Sequence, residues 1–147
     1  VDDALIPTGE LRPVDGTPFD LRAPRTIGDA TRSRDGEPPF DGYDHSFVLD
    51  CPAGERSAPC TAARLYEPRS GRVLEIETTE PALQLSGGSQ LGRGESGKGG
   101  CRYGPHSAVA LETQHFPNAP NEPRFPSTIL RPGDQYRSHT TYRFGTD

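Results

Sequence analysis

Methionine is absent from this 147-residue chain, at position 1 as elsewhere. A natural complete product normally begins with one, so the expectation is a processed product, a fragment or an incomplete translation. Long apolar runs are absent too, and none approaches the length of a membrane span. The first residues, Val1-Asp-Asp-Ala-Leu-Ile-Pro7, lack the basic region and apolar core of a signal peptide. Basic blocks are missing as well. The net charge is −5, and no Lys/Arg face carries interleaved aromatics, so the phosphate neutralisation that nucleic-acid binding requires has no source. Nucleic-acid and membrane partners are therefore not expected, whereas a neutral polyol needs no charge bias. Helical periodicity is scarce, because Gly or Pro interrupts most windows with apolar residues at i, i+3, i+4 and i+7. Apolar residues make up only 31% of the chain, which predicts a thin core for its length.

Glycine (17) and proline (16) are abundant, and between them lie short runs of strand material. Ser46-Phe-Val-Leu49 is one. Ala62-Ala-Arg-Leu-Tyr66 and Arg72-Val-Leu-Glu-Ile-Glu-Thr-Thr79 flank Glu67-Pro-Arg-Ser-Gly71 and read as a hairpin. In its second strand Leu74, Ile76 and Thr78 share one face, and Val73, Glu75, Glu77 and Thr79 share a more polar one. Ala82-Leu-Gln-Leu-Ser86 places Leu83 and Leu85 opposite Gln84. Ser107-Ala-Val-Ala-Leu-Glu112 and Ser127-Thr-Ile-Leu130 continue the pattern, and residues 136–144 supply a closing strand. Arg131-Pro-Gly-Asp134 predicts a type II turn, with Pro second and Gly third. Residues 29–42 and 86–100 read as polar loops. Short strands at regular spacing predict an all-β fold, a β-sandwich, over a single domain spanning residues 1–147.

Several apparent motifs lack the context their chemistry needs. Gly92-Arg-Gly-Glu-Ser-Gly97 matches a dinucleotide fingerprint, and Gly97-Lys98 ends a near phosphate-binding loop. Both motifs work by opening a helix whose N-terminus holds phosphate. Here Lys98-Gly-Gly-Cys-Arg-Tyr-Gly-Pro105 follows, which cannot start one. His45, His106, His115 and His139 form no i, i+2 or i, i+4 pair with each other or with a cysteine, so spacing predicts no metal site. Cys51 and Cys60 bracket a polar loop with prolines near both ends. A disulfide and two reduced thiols both suit that spacing. Cys101 has no evident partner.

Three polar residues remain in strand-like, apolar settings: Asp44 in Gly42-Tyr-Asp-His-Ser-Phe47, Gln84 in Thr78-Thr-Glu-Pro-Ala-Leu-Gln84, and Glu112 in Val109-Ala-Leu-Glu-Thr-Gln114. Taken singly, an acid at a strand end is more often a surface or hydrogen-bonded structural group than a catalytic one. These segments occur in order with Leu5-Ile-Pro-Thr-Gly-Glu10, Thr17-Pro-Phe-Asp-Leu-Arg22, Ser70-Gly-Arg-Val-Leu-Glu75, Gly97-Lys-Gly-Gly100 and the proline-rich run from Ala110 to Asp134. Together they resemble the C-terminal half of the aldose 1-epimerase (galactose mutarotase) family. The resemblance implies a galactose mutarotase-like supersandwich, of which this chain would be an incomplete portion. It implies interconversion of the α and β anomers of aldohexoses such as glucose and galactose, with no metal or cofactor. It casts Glu112 as the general base and Asp44 and Gln84 as substrate contacts.

The same resemblance places the family's general-acid histidine in an N-terminal half that aligns before residue 1. The missing half is thus expected to supply it, and the isolated chain is expected to be inactive. Ser86-Gly-Gly-Ser89 stands where the family usually has an aromatic-Thr-Gly-Asn run. The Cys51–Cys60 segment reads as an insertion. Two other functions fit the pattern: a non-catalytic carbohydrate-binding β-sandwich module, and an epimerase acting on a phosphorylated hexose, with Arg93, Lys98 and Arg102 as phosphate contacts. The resemblance implies a cytoplasmic protein, and a Cys51–Cys60 disulfide would imply an extracellular one.

Overall fold

The computed structural model describes residues 1–28, 42–51, 58–92 and 96–147. These residues form six strands: β1 (Asp44–Val48), β2 (Cys60–Glu67), β3 (Arg72–Thr78), β4 (Ala82–Ser86), β5 (Ala110–Gln114) and β6 (Thr140–Thr146). Two 3-10 turns, Lys98–Gly100 and Ala119–Asn121, lie before and after β5. The fold is all-β, with two three-stranded sheets ordered β1-β4-β5 and β2-β3-β6. No described helix is long and apolar enough to cross a membrane. The chain divides into two compact units, one of Val1–Gly9, Ser46–Leu83 and Glu112–Asp147, the other of Glu10–His45 and Gln84–Leu111.

In the first unit β3 is the central strand of an antiparallel sheet, with β2 and β6 on its two sides. The expected hairpin forms, with Glu67 opposite Arg72 and a bulge between Thr61 and Ala63. Glu67 organises the turn. Its carboxylate accepts hydrogen bonds from the backbone N–H groups of Arg69 and Ser70, both at 2.9 Å, and from the Ser70 hydroxyl at 2.6 Å. The Ser70 hydroxyl is the main reason its carboxyl lies below the ordinary glutamate range. Gly71 closes the turn at φ 71°, and a Cβ there would stand 2.7 Å from the Asp147 carbonyl oxygen. Gly71→Ala is therefore expected to cost about 1–2 kcal/mol for a left-handed residue with a side chain. Urea unfolding of the two proteins measures it, and an unchanged midpoint would refute it.

Alternation in β3 follows the sequence closely. Ile76 and Thr78 are fully buried, and Leu74 on the same face is half-buried. On the other face Glu75 pairs with Arg64 at 3.4 Å and Glu77 with Arg143 at 2.8 Å, while Val73 is buried. Buried Thr78 is satisfied: its hydroxyl lies 2.9 Å from the Thr140 hydroxyl and accepts the Glu80 N–H at 3.1 Å.

Two strand expectations change. Residues 127–130 form no strand. They lie between Pro126 and Pro132, and the Ser127 hydroxyl takes the Ile129 N–H at 3.2 Å, so a local bond replaces a ladder bond. The closing strand begins at Thr140 instead of Tyr136, because Tyr136 is engaged elsewhere, and it runs on to Thr146. The turn at Arg131 forms as expected, with Gly133 at φ 93° and the Asp134 N–H donating to the Arg131 carbonyl at 2.9 Å. Cys51 and Cys60 are joined by a disulfide with Cα atoms 5.7 Å apart, and Cys101 is free and exposed. Of the two expected loops, residues 29–41 and 93–95 lie outside the described residues. The run after Gly97 makes a single 3-10 turn rather than an α-helix, as its glycines predict.

In the second unit Tyr43 is the buried anchor. Its hydroxyl donates to the Pro18 carbonyl at 2.6 Å, and Phe19 packs edge-on against its ring at 6.1 Å. Thr17 holds that approach, accepting the Phe19 N–H at 3.1 Å and donating to the Val14 carbonyl at 2.6 Å.

Candidate functional site

Backbone hydrogen bonds at both ends set β1 against β4. The Gly87 N–H donates to the Tyr43 carbonyl at 2.7 Å, and the Leu49 N–H donates to the Pro81 carbonyl at 3.1 Å. The two strands therefore run antiparallel, with Asp44 opposite Ser86. Gln84, two residues further along, is the diagonal neighbour of Asp44 on the same face. The side chains meet: Gln84 Nε2 donates to Asp44 Oδ1 at 2.9 Å. Leu83 and Leu85 are buried on the other face of β4, so the apolar alternation turns the amide away from the core as expected.

Asp44 is also held through its backbone. Its N–H donates to Nδ1 of His45 at 3.0 Å, and the imidazole packs on Phe19 with ring centroids 4.6 Å apart. His45 as a residue remains exposed, but its ring is covered on that side. Burial is the largest influence on it and moves its pKa below the ordinary histidine value, against the opposing field of Asp44. A neutral ring that accepts at Nδ1 carries its proton on Nε2.

Glu112 lies in the middle of β5, on an exposed position of the strand. Among the described residues its carboxylate has no side-chain hydrogen bond or ion pair. The next residue but two, His115, belongs to a cluster that sequence reasoning missed. Nearly buried Glu80 is 5% exposed, and its Oε2 lies 2.8 Å from Nδ1 of His115. That contact is close without the alignment of a hydrogen bond, and Oε2 has no hydrogen-bond partner among the described residues. Its second oxygen accepts the Tyr136 hydroxyl. Burial is the strongest single influence on Glu80 and opposes its charge. Hydrogen bonds from Ser138 and Tyr136, with the charge of His115, outweigh it together and leave the carboxyl below the ordinary range. The Thr113 hydroxyl on β5 adds a contact of 3.0 Å to Thr140, which also meets Thr78. The end of β5 is thus fixed by polar contacts to the ends of β3 and β6. One signal was available in the sequence, an acid directly before Pro81 and the apolar Ala82-Leu83.

The proline-rich run after β5 is anchored at several points. Phe116 packs on Phe125 at 4.9 Å. Asn118 adopts a left-handed conformation, φ 63°, and its amide donates to the Pro7 carbonyl at 3.3 Å. Arg124 grips Glu122 through two bonds of 2.7 Å and donates to the Thr8 carbonyl at 2.8 Å. In the second unit an open cleft of about 350 Å³ is lined by Ile27, Gly28, Gly42, Gly87, His106 and Val109. Gly42 and Gly87 flank Tyr43-Asp44 and Ser86 along the chain, which puts the mouth of β1 and β4 beside it.

The family profile for aldose 1-epimerase matches residues 1–143. Human galactose mutarotase is 43% identical over 144 residues, covering 98% of this chain and 40% of its own. Aldose 1-epimerase of Escherichia coli is 35% identical over 146 residues, covering 98% of this chain and 41% of its own. Among solved structures, the GalM/aldose epimerase homologue from C. elegans superposes with a TM-score of 0.84 at 32% identity, over 99% of this chain and 42% of that one. The chain thus spans about two fifths of the length of the curated relatives it matches. A profile match over nearly every residue, with relatives on both sides of the bacterial–animal divide, means that this chain belongs to the aldose 1-epimerase family.

Proposed function

We propose that this chain carries the base and part of the sugar-binding surface of an aldose 1-epimerase acting on aldohexoses such as glucose and galactose. The observation that carries the reading is the Gln84–Asp44 hydrogen bond at 2.9 Å. It joins two residues, forty positions apart, that the family resemblance had singled out as sugar contacts. An amide and a carboxylate side by side offer both donors and acceptors, which suits hydroxyls that do both. The neighbouring cleft of about 350 Å³ falls within the usual size of small-molecule sites.

In the proposed reaction Glu112 takes the proton from the anomeric hydroxyl while an acid protonates the ring oxygen. The bond from C1 to the ring oxygen breaks, giving the open-chain aldehyde. Rotation about the C1–C2 bond exposes the other carbonyl face. Reclosure returns the proton from Glu112 to the anomeric oxygen and the ring-oxygen proton to the acid. Atoms and electrons balance without a redox partner, and general acid–base catalysis is the whole of the chemistry. The acid is a histidine from residues outside this chain. The disulfide between Cys51 and Cys60 favours an oxidising compartment for the protein.

Polarimetry on freshly dissolved α-glucose tests the division of labour. The purified chain alone is expected to leave the spontaneous rate of anomer exchange unchanged. The same chain joined behind the N-terminal three fifths of human galactose mutarotase is expected to accelerate it. A folded fusion that binds galactose without acceleration would replace the proposal with a carbohydrate-binding module. Clear acceleration by the isolated chain, abolished by Glu112→Gln, would show that no outside acid is needed.

A further inference from the structure

β1 is an end strand of its sheet, with β4 on one side and no strand on the other among the described residues. The Tyr43 carbonyl points inward to β4, where it accepts the Gly87 N–H at 2.7 Å. The carbonyl and N–H of one trans peptide point in opposite directions, so the Asp44 N–H points off the open edge. An edge donor of this kind has no ladder acceptor and ordinarily bonds to water. Here Nδ1 of His45 accepts it at 3.0 Å. The ring is held for that task by Phe19, which packs on it with centroids 4.6 Å apart. Phe19 is placed in turn by the Thr17 hydroxyl and by its edge-on contact with Tyr43. The carboxylate of the same Asp44 accepts the Gln84 amide at 2.9 Å, so this residue is held through its backbone and its side chain alike.

We propose that His45 is a positioning residue for the sugar contact at Asp44, acting through the lone pair of its neutral Nδ1, and that sugar affinity falls when this nitrogen takes a proton. The proposal rests on the reading of Asp44 and Gln84 as sugar contacts and deepens it by adding a titratable control. A protonated imidazole has two donors and no acceptor. Two N–H groups would then face each other at the place of the present bond, and the ring or the peptide must turn away. The Asp44 side chain springs from the Cα beside that peptide, so its carboxylate loses the place from which it meets Gln84. Burial and the N-terminal ammonium oppose the protonated ring, the Asp44 carboxylate favours it, and burial prevails. Asp20, next to Phe19, is bound by Arg22 at 2.7 and 2.8 Å, and Arg25 donates to the Thr17 carbonyl at 3.1 Å. Gln84 and Ser86 on β4 carry no charge, and His106, the other histidine of this unit, lies 3.2 Å from the Gly87 carbonyl. The bond to Asp44 is therefore complete above the ordinary histidine value of 6.5 and is lost as pH falls toward the lower value of the folded chain.

The test compares the parent chain with His45→Phe and His45→Asn. Phenylalanine keeps the packing on Phe19 without an acceptor. Asparagine sets an oxygen on Cγ, where Nδ1 stood, and does not titrate. NMR of the labelled full chain reads the His45 ring nitrogens, the Asp44 amide and the Gln84 side-chain amide from about pH 8 to about pH 5. In the parent, Nδ1 is expected to be the bare nitrogen at the upper end, and both amide signals are expected to move with the midpoint of the ring. In His45→Asn they are expected to stay in place, and in His45→Phe the Asp44 signal is expected to be displaced at every pH. Galactose affinity is measured on the same forms fused behind the N-terminal three fifths of human galactose mutarotase, each against His45→Asn at the same pH, which cancels other titrating groups. The parent is expected to match His45→Asn near the upper end and to bind about two- to tenfold more weakly near the lower, with His45→Phe weaker by that factor throughout. An Asp44 amide that ignores the ring titration, or a protonated Nδ1 at the upper end, overturns the proposal. So does a His45→Asn that binds no better than His45→Phe, which leaves His45 a packing residue only. Where a variant does not fold, the shared or separate midpoints of the parent ring and Asp44 amide decide. Amides that follow the ring, in a fusion whose galactose affinity is the same in all forms and at every pH, remove Asp44 from sugar contact and keep His45 as the group that holds it.

Discussion

Glu112→Gln in the fused enzyme should lower the catalysed rate of anomer exchange by about 10²–10⁴-fold, the usual contribution of a positioned general base. Glutamine keeps the size and hydrogen-bonding reach of the side chain but cannot accept a proton from a hydroxyl. The position is exposed on β5, and its carboxylate supports no other described side chain. Stability should therefore stay within about 0.5 kcal/mol of the parent, as for most surface substitutions. Substrate binding should change little, so the loss falls on kcat and not on KM. Polarimetry across a range of glucose concentrations separates the two. A variant that keeps more than about a tenth of the parent rate would remove Glu112 from the role of base, since less than 1.4 kcal/mol of the barrier would then depend on it.

Glu80→Ala should unfold more easily than the parent by about 2–3 kcal/mol at neutral pH. The substitution removes the acceptor of the Tyr136 hydroxyl and the partner of His115 at 2.8 Å. The cost falls below the range for fully buried pairs, because the His115 side chain is 26% exposed. The pH dependence has a definite sign. The folded protein holds the Glu80 carboxyl below the ordinary value of 4.5, so the unfolded chain binds its proton first as pH falls. The stabilisation is complete above that value and drains away below it, toward the depressed folded value. The gap between parent and variant in urea unfolding should hence be widest near neutrality and narrow in acid. A gap that is absent at neutral pH, or that widens in acid, would contradict the role given to Glu80.

Local patterns in the chain were legible wherever neighbours along the sequence decide the structure. Two leucines around Gln84 were enough to turn the amide outward, and Ala82–Ser86 is a strand with the limits its alternation suggests. Pro132 and Gly133 specify their turn through φ alone. Residues 127–130 show the opposite case. Their composition suits a strand, but prolines at both ends and a serine that bonds to its own backbone leave no ladder to join. Contacts between distant residues left little trace. Glu80 meets Tyr136 across 56 positions, and nothing in either segment names the other. The Asp44–Gln84 pair was approachable only through resemblance, because alternation gives the face of each residue but not the strand beside it. The cysteine pair stayed open for a similar reason, since spacing suits both states and only Cα atoms 5.7 Å apart in a bonded pair decide between them.

The bond from Gln84 to Asp44 also has a direction. An amide can rotate by half a turn, but here the turned form would set its carbonyl oxygen against a carboxylate, and the two would repel. Asp44 thereby selects one of two otherwise similar orientations, and His45 in turn holds the Asp44 backbone through its Nδ1. The second N–H of the amide, its oxygen and the other carboxylate oxygen occupy set places before any ligand arrives. Side-chain ordering that binding would otherwise have to impose, at about 0.5–1.5 kcal/mol per long side chain, has already been done by folding. A hydroxyl that meets this pair encounters a fixed sequence of donor and acceptor, and one that offers the opposite sequence gains nothing from it.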